Sequence, residues 1–314
     1  MIAFGPVSSR RLGFSLGINN ILTHKLCTYN CVYCQLGRTH ALTTKPVPQY
    51  DPDVLIRAVD HHLKKLEASS RPDFLTFVAQ GEPTLDHNMG KEISRLKETG
   101  IPVAVITNAS LLSVEEIRKQ LLPADWVSVK IDAVDGTIWK KINRPHRDLQ
   151  FEDILEGITS FRSKYAGRLC TETMLIRGFN DEHWHLEALA SFAKKLDPSV
   201  AYLSIPTRPP TEKQILPTHG ATLTEAWEIY TSHHIKTELL TGFEGTKTGY
   251  TGNLINDILN ITAVHPLRED SLQKLVEKSD SDLSVVNSLI HKRLLRKTQY
   301  RGKIYYTRYY PGIS

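Results

Sequence analysis

The chain has 314 residues, a formal net charge of +5, and hydrophobic and charged fractions of 40% and 23%. These fractions are typical of a soluble globular protein. No apolar run approaches the roughly 20 residues of a membrane-spanning helix, and the first residues lack the basic and apolar regions of a signal peptide. The sequence therefore predicts neither a membrane-spanning nor a secreted protein.

Strand and helix patterns alternate along the first two thirds of the chain. The alternating residues around Leu16 and Ile18 predict a first strand. Five more strands, each associated with a helix, are predicted at 73–79, 102–106, 126–131, 169–176 and 200–205. This alternation predicts an α/β fold with parallel strands joined by right-handed crossovers, but it does not separate an open sheet from a barrel. Arg10 and Arg11, before the first strand, are interpreted as contacts to an anionic group or as part of a solvated face.

Three of the four cysteines lie within eight residues, at Cys27, Cys31 and Cys34. A [4Fe–4S] cluster takes one cysteine per iron, so this loop would hold a cluster and leave one iron open. A cluster and few cysteines together predict a reducing, cytoplasmic setting. Two alternatives are a disulfide, which would leave one of the three cysteines unpaired, and a Cys3His zinc site with His24 as fourth ligand. Cys170 lies in an apolar run and is interpreted as a buried core residue.

Polar side chains lie at the ends of the next predicted strands. They are Gly81, Glu82 and Pro83 after the second strand, Thr107 and Asn108 at the third, Ser128, Lys130 and Asp132 along the fourth, and Glu172 in the fifth. A strand end offers free carbonyl oxygens and here a carboxylate, which suit a cationic ligand group. Charged side chains inside a barrel must pair with each other or meet a polar ligand. A structural Lys130–Asp132 ion pair is therefore the alternative to a binding site.

The cysteine loop resembles that of the radical S-adenosylmethionine (SAM) superfamily, whose signature has an aromatic residue before the third cysteine, as Tyr33 stands here. The stretch 80–84 resembles the Gly-Gly-Glu element of that superfamily. Thr107 and Asn108 resemble its Thr-Asn-Gly element, with Ala109 in place of the glycine. The resemblance implies a partial (β/α)6 TIM-like barrel, in which the chemistry lies at the C-terminal ends of the strands.

The resemblance also implies an activity and its cofactors. A reduced [4Fe–4S] cluster on the three cysteines would cleave SAM to a 5′-deoxyadenosyl radical, which would abstract hydrogen from a substrate. By resemblance, Tyr33 and the strand-end residues named above form the SAM site, with Lys130 on the SAM carboxylate and Asp132 beside it. An external one-electron reductant of the flavodoxin or ferredoxin type is expected, since no flavin-binding domain is visible.

The positive charge belongs to the C-terminal tail, residues 264–314. This tail has ten Lys or Arg and five Asp or Glu, so the preceding 263 residues have a net charge of zero. Its pattern of helix, helix and hairpin predicts a small winged helix-turn-helix domain. Three parts are therefore predicted: a barrel over 1–235, a glycine-rich bridge over 236–263, and the winged helix over 264–314.

Basic and aromatic residues are interleaved on the predicted wing, which favours phosphate contact and base stacking. The candidate contacts are Lys292, Arg293, Arg296, Lys297, Arg301 and Lys303, with Tyr300, Tyr305 and Tyr306 among them.

Residues 5–13, 31–37 and 81–84 resemble those of the wyosine-type tRNA-modifying radical SAM group, but the second-cluster cysteines of that group are absent before Cys27. An RNA substrate is one hypothesis. The alternative is a protein, peptide or small-molecule substrate, with the winged helix as a docking or dimerisation module. A non-enzymatic iron–sulfur sensor is disfavoured, because it would not need the SAM elements.

Overall fold

The computed structural model describes residues 1–310 and is built around one large sheet. The strands are β1 (Ala3–Ser9), β2 (Gly13–Ile18), β3 (Leu26–Cys27), β4 (Ala41–Leu42), β5 (Phe74–Phe77), β6 (Val103–Thr107), β7 (Trp126–Lys130), β8 (Arg168–Met174), β9 (Val200–Ser204), β10 (Thr237–Leu240), β11 (Leu267–Arg268), β12 (Leu295–Tyr300) and β13 (Lys303–Arg308). The α-helices are α1 (Pro52–Lys65), α2 (Met89–Leu96), α3 (Glu115–Leu121), α4 (Gly136–Asn143), α5 (Phe151–Lys164), α6 (His183–Leu196), α7 (Gly220–Ser232), α8 (Leu254–Val264), α9 (Glu269–Lys278) and α10 (Ser284–His291).

The large sheet has eight strands in the order β1-β2-β5-β6-β7-β8-β9-β10. Strand β1 is antiparallel to β2, and the pairings from β2 through β10 are parallel. The sheet curls into a half-barrel. This confirms the α/β class and the predicted partial TIM-like barrel. The six predicted strands correspond to β2 and β5–β9, whereas β1 and β10 extend the sheet at its two edges.

Helix α1 illustrates how the sequence pattern produces these elements. Asp51 lies before the helix, and its carboxylate accepts a hydrogen bond from the Asp53 backbone N–H at 2.8 Å, which caps the first turn. The apolar stripe then buries Leu55 and Val59 against the sheet core. The parallel strands are buried on both faces, as expected when helices cover the sheet.

An apolar layer closes the N-terminal end of the half-barrel. Leu12, in the turn between β1 and β2, packs there with Trp126, Cys170 and Tyr202. Cys170 is fully buried, as its interpretation as a core residue requires. Because the floor is filled with side chains, open space in the half-barrel lies toward the strand C-termini.

The loop 241–252 closes the gap between the two sheet edges. It follows β10 and forms an antiparallel bridge with β1 between Val7 and Thr248. The Ser8 backbone N–H donates to the Lys247 carbonyl oxygen at 3.1 Å. A half-barrel with two open edges is thereby covered on its side by the chain that follows its last strand.

The segment from α8 to β13, here called the C-terminal unit (residues 254–308), has its own core and a three-stranded sheet in the order β11-β13-β12. Its apolar cluster includes Phe4 of β1, so the unit packs on the edge of the barrel. The order of its elements is compatible with the predicted winged helix, which stays a prediction, as does the three-part division. Within the predicted bridge 236–263, β10 joins the large sheet and α8 joins the core of the C-terminal unit.

Among residues 1–310, no helix combines the length and the hydropathy that crossing a bilayer requires.

Candidate functional site

The cysteine loop lies above the half-barrel and is fastened at both ends. Strands β3 and β4 pair in parallel on either side of it. Lys25 is buried, and its ammonium group donates to the Gly37 carbonyl oxygen. The Thr39 hydroxyl donates to the Tyr29 carbonyl oxygen at 2.6 Å. Sequence reasoning missed Lys25, because a lysine next to a loop ordinarily indicates a solvated side chain.

The surroundings of Cys27 and Cys31 oppose ionisation of the free thiols but offer N–H donors to both sulfurs. Burial and the neighbouring Cys34 raise the pKa of Cys31 to about 12, and burial also raises the pKa of Cys27. Amide groups approach two of the sulfurs: Asn143 Nδ2 lies 3.4 Å from Cys31 Sγ, and Asn108 Nδ2 lies 3.7 Å from Cys27 Sγ. Crowded thiols with N–H donors fit an iron–sulfur cluster, because the cluster binds thiolates and its sulfur ligands accept hydrogen bonds.

The zinc alternative requires a different geometry. A zinc ion binds its ligands at about 2.0–2.3 Å from one point, whereas in a cluster each cysteine binds a different iron. Among residues 1–310, no group of three or more His, Cys, Asp or Glu side chains is arranged around one metal ion. The imidazole of His24, the proposed fourth zinc ligand, packs against the Tyr310 ring at a centroid distance of 3.9 Å.

Gly81 brings the end of β5 against the cysteine loop. Its φ is +143°, and a Cβ at this position would lie 1.7 Å from the Leu26 carbonyl oxygen. The next residue, Glu82, donates its backbone N–H to the same oxygen at 3.0 Å. A glycine is therefore required for this close approach, which positions Cys27 beside the strand end.

We expect Gly81→Ala to displace the cysteine loop. The added methyl would clash with the backbone of Leu26, so the anaerobically reconstituted variant should hold much less iron than the wild type. Gly178→Ala is the matched control, because Gly178 also has a positive φ of +71° but has open space around it. The control should lose only about 1–2 kcal/mol from backbone strain and retain its iron. Equal iron contents in the two variants would contradict this role of Gly81.

Glu82 is buried, and its carboxylate is occupied by groups of the protein. It accepts hydrogen bonds from the Thr107 hydroxyl at 2.6 Å, the Thr84 hydroxyl at 2.7 Å and the Asn108 backbone N–H at 2.8 Å. Burial raises the pKa of Glu82, and these hydrogen bonds oppose the increase. The carboxylate thus joins the ends of β5 and β6. Asn108 donates in turn to the Thr28 hydroxyl at 2.7 Å, which links β6 to the cysteine loop.

Ala109 stands at the position of the glycine in the resembled element and has a glycine-like backbone conformation. Its φ is +63°, a left-handed conformation that glycine ordinarily adopts. Its backbone N–H donates to the Thr107 hydroxyl at 3.0 Å. The backbone path that a glycine would allow is therefore retained, and the alanine carries the strain.

Asp132 holds the cysteine loop from the opposite side. It accepts hydrogen bonds from the Tyr33 hydroxyl, from Asn143 Nδ2 at 2.9 Å and from the Met174 backbone N–H at 2.9 Å. Asn143 thus contacts both Asp132 and Cys31, and sequence reasoning missed it. Ser128, predicted on the same side of the strand, is buried, and its hydroxyl has no hydrogen-bond partner among the described residues.

A buried ionic layer crosses the half-barrel. Glu172 pairs with Arg11 at 2.6 Å and with Lys130 at 3.3 Å. Burial alone would raise the pKa of Glu172, but the charges of Arg11 and Lys130 outweigh it and lower the pKa to about 2. Lys130 lies 4.0 Å from Asp132, so Glu172 is its closer partner. The interpretation of Arg11 as a solvated residue is wrong, because it reaches from the β1–β2 turn to β8.

A cavity of about 270 Å³ lies above this layer. Among the predicted site residues, it is lined by Tyr33, Cys34, Lys130 and Glu172. The other strand-end residues are not part of this lining, and Glu82 and Asp132 fasten the loop. Asn108 and Asp132 line a smaller cavity of about 20 Å³ together with Tyr33 and Lys130. We call the larger cavity the chamber.

The far wall of the chamber contains residues that the sequence did not assign. Glu244 of the loop 241–252 pairs with Arg208 and lies 3.2 Å from His265 and 4.0 Å from Arg10. Four Arg or Lys and two Glu line the chamber, which leaves an excess of positive charge. Burial and the nearby Arg208 lower the pKa of Arg10 to about 10. This excess favours ligand groups that are negatively charged, such as carboxylate or phosphate.

The predicted wing divides into parts with different surroundings. Tyr300 donates its hydroxyl to the Pro206 carbonyl oxygen at 3.1 Å, and Tyr305 donates to that of Thr207 at 2.9 Å. Tyr306 is buried. Tyr300 and Tyr305 dock the C-terminal unit on the half-barrel, and Tyr306 packs in the core of the unit, so their predicted exposure for base stacking is wrong. The six basic candidates, by contrast, are all exposed: Lys292, Arg293, Arg296, Lys297, Arg301 and Lys303.

Comparisons with known proteins agree with this geometry. The family model described as the radical SAM superfamily matches residues 21–190. UPF0026 protein MJ1312 of Methanocaldococcus jannaschii is 44% identical over 307 residues, covering 97% of this chain and 95% of the relative. UPF0026 protein slr1464 of Synechocystis sp. is 36% identical over 218 residues, covering 68% of this chain and 78% of the relative.

Similarity to a solved structure, at low sequence identity, shows a shared fold and no more. The crystal structure of a radical SAM methyltransferase from Sphaerobacter thermophilus superposes with a TM-score of 0.56 at 13% identity. The match covers 73% of this chain and 68% of the other. The half-barrel is therefore common to both proteins.

Proposed function

Because the chain belongs to the radical SAM superfamily, we propose that it modifies an RNA substrate by abstracting a hydrogen atom from it. Enzymes of this superfamily use a [4Fe–4S] cluster and SAM, and they generally need an external one-electron reductant such as flavodoxin or ferredoxin. When bound, these groups supply reductive cleavage of SAM and a 5′-deoxyadenosyl radical. A reducing cytoplasm is the setting that we propose for this chemistry.

We assign the residues two kinds of role in this proposal. Cys27, Cys31 and Cys34 would hold the cluster, and the lining residues Lys130 and Glu172 would contact the polar groups of SAM or substrate. The other predicted cofactor residues, which do not line the chamber, would orient these groups: Gly81, Glu82, Pro83, Thr107, Asn108, Ser128 and Asp132. Tyr33, bonded to Asp132, would fix the loop against the chamber.

The enclosure of the chamber is the observation that carries the proposal of radical chemistry on a bound substrate. The apolar layer closes it below, and the loop 241–252 and the C-terminal unit cover its side. Walls that cover a site limit the access of water and protect a reactive species from side reactions. The residues of this chain would therefore act by positioning the substrate and by keeping solvent out.

The choice of RNA rests on charge. The tail 264–314 carries the net positive charge of the chain, and two of its exposed basic side chains, Arg301 and Lys303, lie beside the covered face of the chamber. Neutralisation of phosphates by Lys and Arg dominates nucleic-acid binding. A small-molecule substrate is the second candidate, and the docked tyrosines favour it, because Tyr300 and Tyr305 make the C-terminal unit a cover of the barrel.

Transfer of label from the substrate to SAM-derived product tests the proposal. The reconstituted protein, with dithionite and SAM, is incubated with RNA prepared from cells grown in deuterated medium, and 5′-deoxyadenosine is analysed by mass spectrometry. We expect deuterium in the 5′-deoxyadenosine, at a yield that falls after the RNA is digested with ribonuclease. Label that appears only with the deuterated small-molecule fraction would favour the second candidate, and no 5′-deoxyadenosine with any fraction would contradict both.

A further inference from the structure

A second concavity lies on the outside of the chamber, between the loop 241–252 and the wing. It has a volume of about 230 Å³ and is here called the outer groove. Arg268, Arg301 and Lys303 line it from the C-terminal unit, and Arg208 lines it from the barrel. Glu244 is the carboxylate in its lining. Arg208 is paired with Glu244 and Arg268 with Asp270, so among the described residues Arg301 and Lys303 give the groove its unpaired positive charge.

The outer groove and the chamber meet at a shared neck. Thr207, Arg208, Glu244 and His265 line both spaces. The neck is bridged by ion pairs, with Glu244 between Arg208 and His265. A ligand held in the groove is therefore adjacent to the chamber that contains Lys130 and the third cysteine of the loop.

Arg301 and Lys303 differ from the other four basic candidates in position, because they alone of the six line the groove. Within the described residues, neither Arg301 nor Lys303 forms an ion pair, whereas Lys297 lies 3.5 Å from Glu269. Arg301 is at the tip of the β12–β13 hairpin, directed toward the barrel. Lys292 and Arg293 are exposed at the opposite end of β12, roughly 20 Å away along a six-residue strand.

The groove also has features that suit a nucleic acid. Phe243 at its rim is 38% exposed, and the Arg268 guanidinium lies 3.3 Å from the centroid of its ring. The Arg268 guanidinium donates to Asp270, with Nε 2.8 Å from Oδ1, and stacks on this ring. Exposed aromatic rings provide platforms for bases. An acidic peptide would use the cations but not the exposed ring.

We propose that the outer groove binds the phosphate backbone of the RNA substrate, and that the target nucleoside enters the chamber at the neck formed by Arg208, Glu244 and His265. This inference rests on the proposed function. It identifies Arg301 and Lys303 as the main phosphate contacts among the six basic candidates. Lys292 and Arg293 lie outside the binding surface.

Fluorescence anisotropy of a fluorescein-labelled RNA stem-loop with the reconstituted full chain tests the groove. Arg301→Glu/Lys303→Glu should weaken binding by about tenfold or more. Loss of two phosphate contacts to the single-stranded loop should also make the slope of log K against log salt shallower by about 1.4, at about 0.7 per contact. Lys292→Glu/Arg293→Glu, with the same change in charge, should alter affinity by less than about threefold.

A second variant guards against misfolding of the hairpin. Arg301→Gln/Lys303→Gln removes the charges without adding repulsion and should weaken binding in the same direction, with iron content as the folding control. Equal losses in the groove and control variants would show diffuse attraction to the tail and overturn the groove. Displacement of the RNA by polyglutamate as effectively as by unlabelled RNA would indicate an acidic peptide instead.

Failure of the groove proposal can be distinguished from failure of the proposed reaction on RNA. If the wild-type protein cleaves SAM and takes deuterium from RNA but the groove variants bind RNA normally, only the groove is wrong. If RNA binds through the groove but never yields deuterated 5′-deoxyadenosine, the groove holds as a binding site, and the proposed reaction on RNA fails together with the role of the neck.

Discussion

Replacement of Cys27, Cys31 or Cys34 by alanine is expected to abolish the iron–sulfur chromophore and the formation of 5′-deoxyadenosine. Each cysteine supplies the ligand of a different iron, so no neighbouring side chain compensates for its loss. The wild-type protein should hold about four irons per chain after anaerobic reconstitution. Iron analysis, the visible absorption spectrum and the yield of 5′-deoxyadenosine with dithionite measure the effect.

Cys170→Ala is the matched control for this prediction. Cys170 is buried in the apolar layer at the floor of the half-barrel, away from the cysteine loop. Its replacement should cost a small amount of stability through the cavity that it leaves, with the iron content unchanged. A colourless wild-type protein that retains zinc after anaerobic purification would contradict the cluster assignment.

Glu172→Ala is expected to lower the free energy of unfolding of the apo protein by about 3–5 kcal/mol, because it leaves two buried cations without their carboxylate. The cations are Arg11 and Lys130, whose distances to Glu172 are 2.6 Å and 3.3 Å. Urea denaturation measures the loss. Glu115→Ala is the control, because Glu115 forms an exposed pair with Lys119 on a helix, and such pairs contribute little.

The stabilisation by Glu172 should depend on pH in a defined direction. Its pKa is lowered from 4.5 to about 2 in the folded protein, so the ionised carboxylate stabilises the fold above pH 4.5. This contribution should decrease as the pH falls from 4.5 toward 2. The stability difference between the wild type and Glu172→Gln should therefore be smaller at pH 3 than at pH 7. A difference that is the same at both values would contradict the pairing.

Much of the candidate site was predictable because its parts are local or follow from sheet geometry. The spacing of Cys27, Cys31 and Cys34 lies within one loop, and Gly81 and Asn108 follow directly from buried strands. The carboxyl ends of parallel strands meet at one edge, so these residues could be brought together without knowing the full fold. The same local patterns predicted the six parallel strands of the half-barrel.

Other features could not be predicted, because their partners are distant in the sequence. Arg11 contacts Glu172 across 161 positions, and a pair of adjacent arginines looks the same whether it is solvated or buried. Glu244 lies in a glycine-rich loop with no recognisable spacing, yet it meets Arg208 and His265. The exposure of the wing tyrosines was predicted wrongly, because a strand pattern does not say which surface covers it.

The sequence by itself determined the superfamily and the α/β alternation and predicted the cluster ligands, since these depend on short-range spacing and on side-chain period. Only the tertiary structure decided which predicted residues line the chamber, as Glu172 does, and which hold neighbouring strand ends together, as Glu82 does. It also decided that the loop 241–252 and the C-terminal unit cover the open side of the half-barrel. Burial and ion pairing in a curled sheet depend on how its two edges meet the chain that follows them. Residues from the whole chain determine those contacts, so a local sequence pattern does not predict them.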